Sequence, residues 1–213
     1  MHVAELWVYP VKSLRGQRLE RTTFAADGVP GDRRLQVRDG EDRLVTARTR
    51  HRLLGVPATL DPATGEVCVD GVPWHEPAAA AAVRAAAGDD AHLVEVDGPE
   101  RFDDTPLLIA TDGAIAALGV DGRRLRPNLV VGGVEGLAER AWPGRRLRVG
   151  DAVLELEKLC KRCVMTTVDP DTLAVSPDVL RRINEDHDGR FALNCRVVER
   201  GQVAVGDRVE LLA

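Results

Sequence analysis

The feature that most restricts this chain is a succession of short, alternating apolar segments, several of them broken at Asp-Gly pairs. VAELWVY reads as a strand, and Pro10 ends it because proline brings no N–H to a ladder. RLERTTFAADG and RRLQVRDGEDRLVTAR alternate and break at Asp-Gly. GEVCVDGVPWH reads as a hairpin that turns at Asp70-Gly71. Many short strands closed by glycine turns predict a barrel or a sandwich. Aromatic residues are only 3% of the chain, so Val, Leu and Ala must fill its core.

Helices are few. EPAAAAAVRAAAG (76–88) combines the best helix former with Pro77 in the first turn and Gly88 to cap the end. DGAIAALG reads as a short helix capped by Thr111. SPDVLRRINEDH reads as a third, with Ser176 as cap and Pro177 first. PLLIA, NLVVGG and FALNCRVVERG read as further strands. RLRVGDAVLELE and QVAVGDRVELL share a VGDxV core, so each is expected to turn tightly between two strands. GDDA and DGPER flank the strand AHLVEV, which places a boundary near residue 97. The expected fold is α+β and β-rich: a β-barrel-like domain over 1–97, then a mixed β-barrel domain with short helices over 98–213.

The net charge is −5, from 29 Lys+Arg against 34 Asp+Glu, which argues against a general nucleic-acid binder. No segment reads as a signal peptide or a membrane span. Cys68 and Cys195 lie in alternating strands and read as buried thiols. The cytoplasm is the expected location, and there a CxxC more often binds metal or acts chemically than forms a structural disulfide.

That CxxC is KLCKRCVMTTVDPDT (158–172). A zinc site needs a second ligand pair, and the remaining cysteines and histidines supply none. A redox pair wants a helix after the motif, and β-branched VMTTV running into Asp169-Pro170 is a poor one. Two readings stay open: a thiolate ligand favoured by Lys158, Lys161 and Arg162, or an idle thiol in a basic surface loop. Other anion-binding features stand elsewhere. Lys12 and Ser13 follow a strand end, and Arg33 and Arg34 enter a strand facing opposite ways. Arg126 and Asn128 precede a buried strand. Thr111 is either a phosphate-side hydroxyl or a plain cap, and Asp112 offsets the helix dipole. Asp169 and Asp171 read as turn formers. No P-loop, dinucleotide fingerprint or nucleophile elbow is present.

In this order, WVYPVKSLRG, LRPNLVV, KRCVMTTVDPDT and VAVGDRVELL resemble the MOSC superfamily with its N-terminal β-barrel partner domain. The nearest described group is the mitochondrial amidoxime-reducing component and its bacterial relatives. The resemblance implies a molybdenum cofactor (molybdenum on molybdopterin), with Cys163 rather than Cys160 as the protein ligand and catalytic residue. It implies cofactor contacts from Lys12, Ser13, Arg33, Thr111, Arg126, Asn128, Lys161 and Arg162. The implied reaction is reduction of a small N-hydroxylated substrate, with cofactor binding or sulfur carrying without catalysis as the alternative. Electrons would come from a separate ferredoxin, flavoprotein or cytochrome b5 type protein, since the chain has no cysteine set for an iron–sulfur cluster. A monomer with no nucleic-acid or membrane partner is expected. One departure is Lys161, which replaces a small residue often seen there.

Overall fold

The Asp70-Gly71 pair turns the chain as its sequence predicts, and both residues take left-handed backbone (φ 51° and 83°). A computed structural model describes residues 1–212. Its strands are β1 (His2–Val8), β2 (Gln17–Leu19), β3 (Arg21–Phe24), β4 (Leu35–Arg38), β5 (Leu44–Val45), β6 (Ala58–Leu60), β7 (Val67–Val69), β8 (Val72–Pro73) and β9 (His92–Glu95). They continue with β10 (Leu107–Thr111), β11 (Leu129–Gly132), β12 (Arg146–Val149), β13 (Ala152–Lys161), β14 (Arg190–Glu199), β15 (Gly201–Ala204) and β16 (Val209–Leu212). The helices are α1 (Pro77–Ala87), α2 (Asp112–Leu118) and α3 (Pro177–His187). The fold is α+β and β-rich.

One eight-stranded sheet runs β16-β12-β13-β14-β10-β11-β1-β2. Its one parallel pair is β10 with β11. A parallel pair needs a crossover, and α2 lies within it. Smaller sheets join β15 to β3, β5-β4-β9 and β6-β7-β8.

Among the described residues the named ladders do not by themselves close a barrel, so the expectation holds as far as its α+β, β-rich class. The outer edge of β1 is divided: Leu6–Val8 pair with β2, leaving a single bridge, His2 to Arg208, to reach the other end of the sheet. Three further bonds support that bridge, Val3 N–H to Asp207 O (2.9 Å), Gly206 N–H to Val3 O (2.8 Å) and Val209 N–H to Met1 O (3.0 Å). The paired VGDxV expectation also splits. The first copy is a hairpin, with Val149 facing Ala152. The second is not, because β15 pairs with β3 while β16 pairs with β12. There Asp207 accepts from Ala204 N–H at 2.8 Å and turns the chain between sheets. Ser176 stands at the start of α3 without a side-chain capping bond.

Three buried clusters hold these layers. The largest fills the main sheet with Leu6, Ile109, Leu147, Leu154 and Leu193. Fully burying such a side chain contributes about 1.5–3 kcal/mol. The second packs α1 on the small sheets through Val83, Val69, Leu53 and Leu35, and reaches Val168 from the second half. The third seats α2 and α3 through Ala114, Leu118, Val179, Ile183 and Phe191. Cys195 is fully buried and Cys68 half-buried. Burial pushes the Cys195 thiol well above its ordinary value, as an inert core thiol should behave; Cys68, expected buried, is only partly so, and desolvation with nearby Asp61 and Glu66 raises it.

Candidate functional site

Strand ends deliver the site. The segment after β1, the segment before β11 and the end of β13 converge on a cleft of about 270 Å³. Lys12, Ser13, Arg33, Arg126, Asn128, Lys161, Arg162 and Cys163 all line it. Seven basic side chains face it against two acidic ones, Asp103 and Asp104. This local excess stands on a chain whose net charge is −5, so folding gathers cations that the composition hides.

Backbone strain marks the same place. Ser13, Arg33 and Arg126 hold left-handed backbone (φ 73°, 52° and 56°). Side chains rarely adopt that region, and such residues concentrate at functional sites. Buried Asp32 organises two of the neighbours: its carboxylate accepts from Tyr9 N–H at 2.7 Å and pairs with the Arg33 guanidinium. The Tyr9 ring in turn lies 5.1 Å from the Arg33 guanidinium carbon and 4.2 Å from that of Arg126. Arg126 donates to Leu14 O at 2.7 Å. Burial pushes the Arg126 pKa down to about 10, so it stays cationic at neutral pH in a desolvated setting where charge acts strongly. The same burial raises the Tyr9 phenol.

Cys163 precedes a single 3₁₀ turn, Val164–Thr167, where the sequence disfavours a full helix. Its carbonyl accepts from Thr166 N–H (3.1 Å) and Thr166 Oγ1 (2.9 Å), which leaves the sulfur unused by the turn. Arg48, unforeseen from sequence, lines the same cleft as that sulfur and pairs with Asp103. Burial alone would lower the Arg48 pKa; Cys163 and Asp103 outweigh it and hold the pKa above its usual value. Cys160 also lines the cleft, but Arg162 Nη1 contacts its sulfur at 3.3 Å. Both thiols are free. Among the described residues no three His, Cys, Asp or Glu side chains gather as a metal cluster.

The DPDT segment clamps this turn. Asp169 Oδ1 accepts from Asp171 N–H, Thr172 N–H and Thr172 Oγ1, and Oδ2 takes Arg124 at 2.9 Å. Arg123 binds both Asp121 and Asp171. Asp169 is the turn former expected, whereas the Asp171 carboxylate is spent on Arg123 rather than on the turn. The backbone donors of Thr172 and Asp171, with the Thr172 hydroxyl, hold the Asp169 pKa at about 2, below its ordinary 3.8. A depressed folded pKa gives stability that is present above pH 3.8 and lost as pH falls through about 2. Wild type should therefore melt above Asp169→Asn at pH 7, and the gap should shrink by pH 3 in paired thermal melts. A gap independent of pH would remove the carboxylate from this role.

Two expected contacts change character. Thr111 does not line the cleft. It is fully buried, caps α2 by accepting from Ala114 N–H (3.1 Å), and donates to Glu139 Oε2 (3.2 Å). Thr111→Ala should cost about 1–2 kcal/mol in chemical denaturation, the usual range for a lost cap, with metal content unchanged. Lower metal content at unchanged stability would return Thr111 to the ligand. Asn128 does line the cleft, yet its amide ties strands together: Oδ1 accepts from Leu108 N–H (3.2 Å) and Nδ2 donates to Trp7 O (3.3 Å). Lys12 lines the cleft as well; it is buried and pairs with Asp103 at 2.8 Å. Burial would raise the Asp103 pKa, but Lys12 and Arg48 hold it below the usual range.

Comparison with known proteins agrees along the chain. Residues 1–113 match the family described as the MOSC N-terminal beta barrel domain, and residues 108–210 match the MOSC domain. The chain is similar to the human mitochondrial amidoxime-reducing component 1, 28% identical over 234 residues, covering 82% of this chain and 68% of that protein. It is 37% identical over 73 residues to human mitochondrial amidoxime reducing component 2, which is 32% of this chain and 21% of that one. The chain thus spans about two thirds of the length of the first relative. Among solved structures, the YUAD protein of Bacillus subtilis shares the fold at a TM-score of 0.50 and 15% identity, over 99% of this chain and 94% of that one.

Proposed function

The chain belongs to the MOSC family, and on that premise we propose that it is a molybdenum-cofactor oxidoreductase acting on small N-hydroxylated substrates of the amidoxime type. One observation carries the reading: Cys163, a free thiol left unused by its own turn, opens onto a cleft lined by seven basic side chains. The names of the amidoxime-reducing relatives support the substrate class.

The residues fit such a group. Arg162 Nε is buried at the cleft wall without a partner, so this wall keeps a donor for a ligand's acceptor. A pterin phosphate is an anion that guanidinium groups hold with paired hydrogen bonds. One thiolate is the kind of donor that a soft, high-valent metal accepts. When bound, the molybdenum cofactor supplies the exchange of two electrons and one oxygen atom with the substrate.

The chain's own residues divide the remaining work. Lys12, Ser13 and Arg33 hold the anionic end, with Asp32 keeping Arg33 in place. Arg126, Lys161 and Arg162 add charge and donors along the wall. Cys163 is the metal ligand, and the clamped DPDT turn keeps its backbone fixed. Arg48 adds positive charge to the same cleft. Reduction of an amidoxime consumes two electrons and two protons and releases the amidine and water. The electrons would come from a separate carrier protein.

We also propose a cytoplasmic, monomeric protein divided near residue 97 into an N-terminal domain and a MOSC domain. Four unpaired thiols support a reducing compartment. A core cluster drawn almost wholly from residues 11–91 supports the division. No helix among the described residues is long and apolar enough to cross a membrane.

The deciding experiment is metal and pterin analysis after expression in a host that makes the cofactor, followed by amidoxime reduction with an artificial donor. Near one molybdenum per chain with turnover is expected. Loading without turnover would convert the reading to a cofactor carrier. Zinc, or no metal where a known molybdoenzyme loads, would overturn it.

A further inference from the structure

A second cavity, about 280 Å³, lies behind the cleft and shares Arg124, Arg126 and Met165 with it. Two aromatic side chains line it, Trp7 and Tyr9, together with the apolar Leu54, Met165 and Val168. Gly16 lies beside Tyr9, where a Cβ would collide with the ring. The cavity is therefore walled by aromatic and aliphatic side chains that suit a largely apolar ligand.

Its charges are one-sided. Arg123 and Arg124 are neutralised by Asp121, Asp171 and Asp169. Three other guanidinium groups on the wall have no carboxylate partner among the described residues. Arg15 donates only to Pro170 O (2.7 Å) and leaves its buried Nε without any acceptor. Arg126 donates to Leu14 O, and Arg18 forms no ion pair. No acidic side chain lines this pocket. A buried guanidinium nitrogen without a partner is costly and calls for an acceptor.

We propose that this cavity is a separate ligand site for a small planar aromatic carboxylate of one or two fused rings. The ring would lie against Trp7 and the apolar floor, and the carboxylate would take paired hydrogen bonds from Arg15 and Arg18. The volume sits at the small end of ligand pockets, which run roughly 300–1,000 Å³. A bare phosphate fits less well, because it would leave the apolar floor of Leu54, Met165 and Val168 uncovered. The proposal does not depend on the molybdenum reading.

The test is calorimetric titration of the full chain with 2-naphthoate. Arg15→Gln and Arg18→Gln should each weaken binding about tenfold, the scale of one charged hydrogen bond. Uncharged 2-naphthylmethanol should bind about tenfold more weakly or worse. Lys161→Gln, which alters only the cleft, should leave the affinity unchanged. Arg18 is exposed, so its replacement tests the site without disturbing the core. Absence of binding would overturn the proposal. So would binding that ignores Arg15 and Arg18, or that falls with Lys161→Gln, since either places the anion elsewhere.

Discussion

Cys163→Ser should strip the protein of molybdenum, to below about a tenth of wild type, and slow amidoxime reduction at least about a hundredfold, roughly 2.7 kcal/mol of lost barrier reduction. Cys160→Ser should keep both within about twofold. The two thiols share one cleft and lie three positions apart, so proximity does not separate them. Their surroundings do. Cys160 sits in β13, donates weakly to Lys161 O at 3.5 Å and receives Arg162 Nη1 at 3.3 Å. The Cys163 sulfur is left free by its turn and shares the cleft with Arg48. Serine keeps the size and removes the soft, ionisable donor, so loss of metal would report ligation rather than packing. Molybdenum content by plasma mass spectrometry, measured beside a denaturation curve, separates the two. The reverse pattern, with Cys160→Ser losing metal and Cys163→Ser keeping it, would move the ligand assignment to Cys160.

Arg126→Ala should lower retained cofactor about tenfold or more, read as pterin and molybdenum per chain after gel filtration. The residue carries an uncompensated charge into a desolvated wall, and a charged hydrogen bond there is worth about 1.5–3 kcal/mol. Truncation also unseats Tyr9 and frees Leu14 O, because Arg126 stacks on the one at 4.2 Å and donates to the other at 2.7 Å. Alanine must moreover hold the left-handed backbone at this position (φ 56°). Some loss of stability is therefore expected in parallel. Arg126→Lys separates the effects: it keeps the charge without the planar fork, so retention should recover in part. Equal cofactor content in Arg126→Ala and wild type would remove the residue from the cofactor's wall.

Much of the local structure is legible residue by residue. Asp70-Gly71 turns the chain because glycine and aspartate tolerate positive φ. The alanine run makes α1 because alanine loses no side-chain entropy in a helix. The second VGDxV stretch shows where such reading stops. Its residues match the first copy, yet its strands part to different neighbours, since β3 and β12 offer open edges. Strand pairing depends on which edges are free in the folded sheet, and a local pattern carries no record of that.

The candidate site divides the same way. Cys163, the basic residues around it, Lys12, Arg33 and Arg126 stand in motifs whose chemistry is visible in a one-dimensional string. Arg48, Arg124 and Asp103 line the same cleft from ordinary-looking stretches. Thr111, a plausible contact by sequence, is turned inward to Glu139, and Asn128 spends its amide on β1 and β10. Residue types and local spacing carry the strand-rich class, most turns, the helices and the side chains able to hold an anion and a soft metal. Which of them meet is set by the folded sheet. Sheet order brings together side chains a hundred residues apart, and burial then sets whether a polar group serves a ligand or the protein's own backbone.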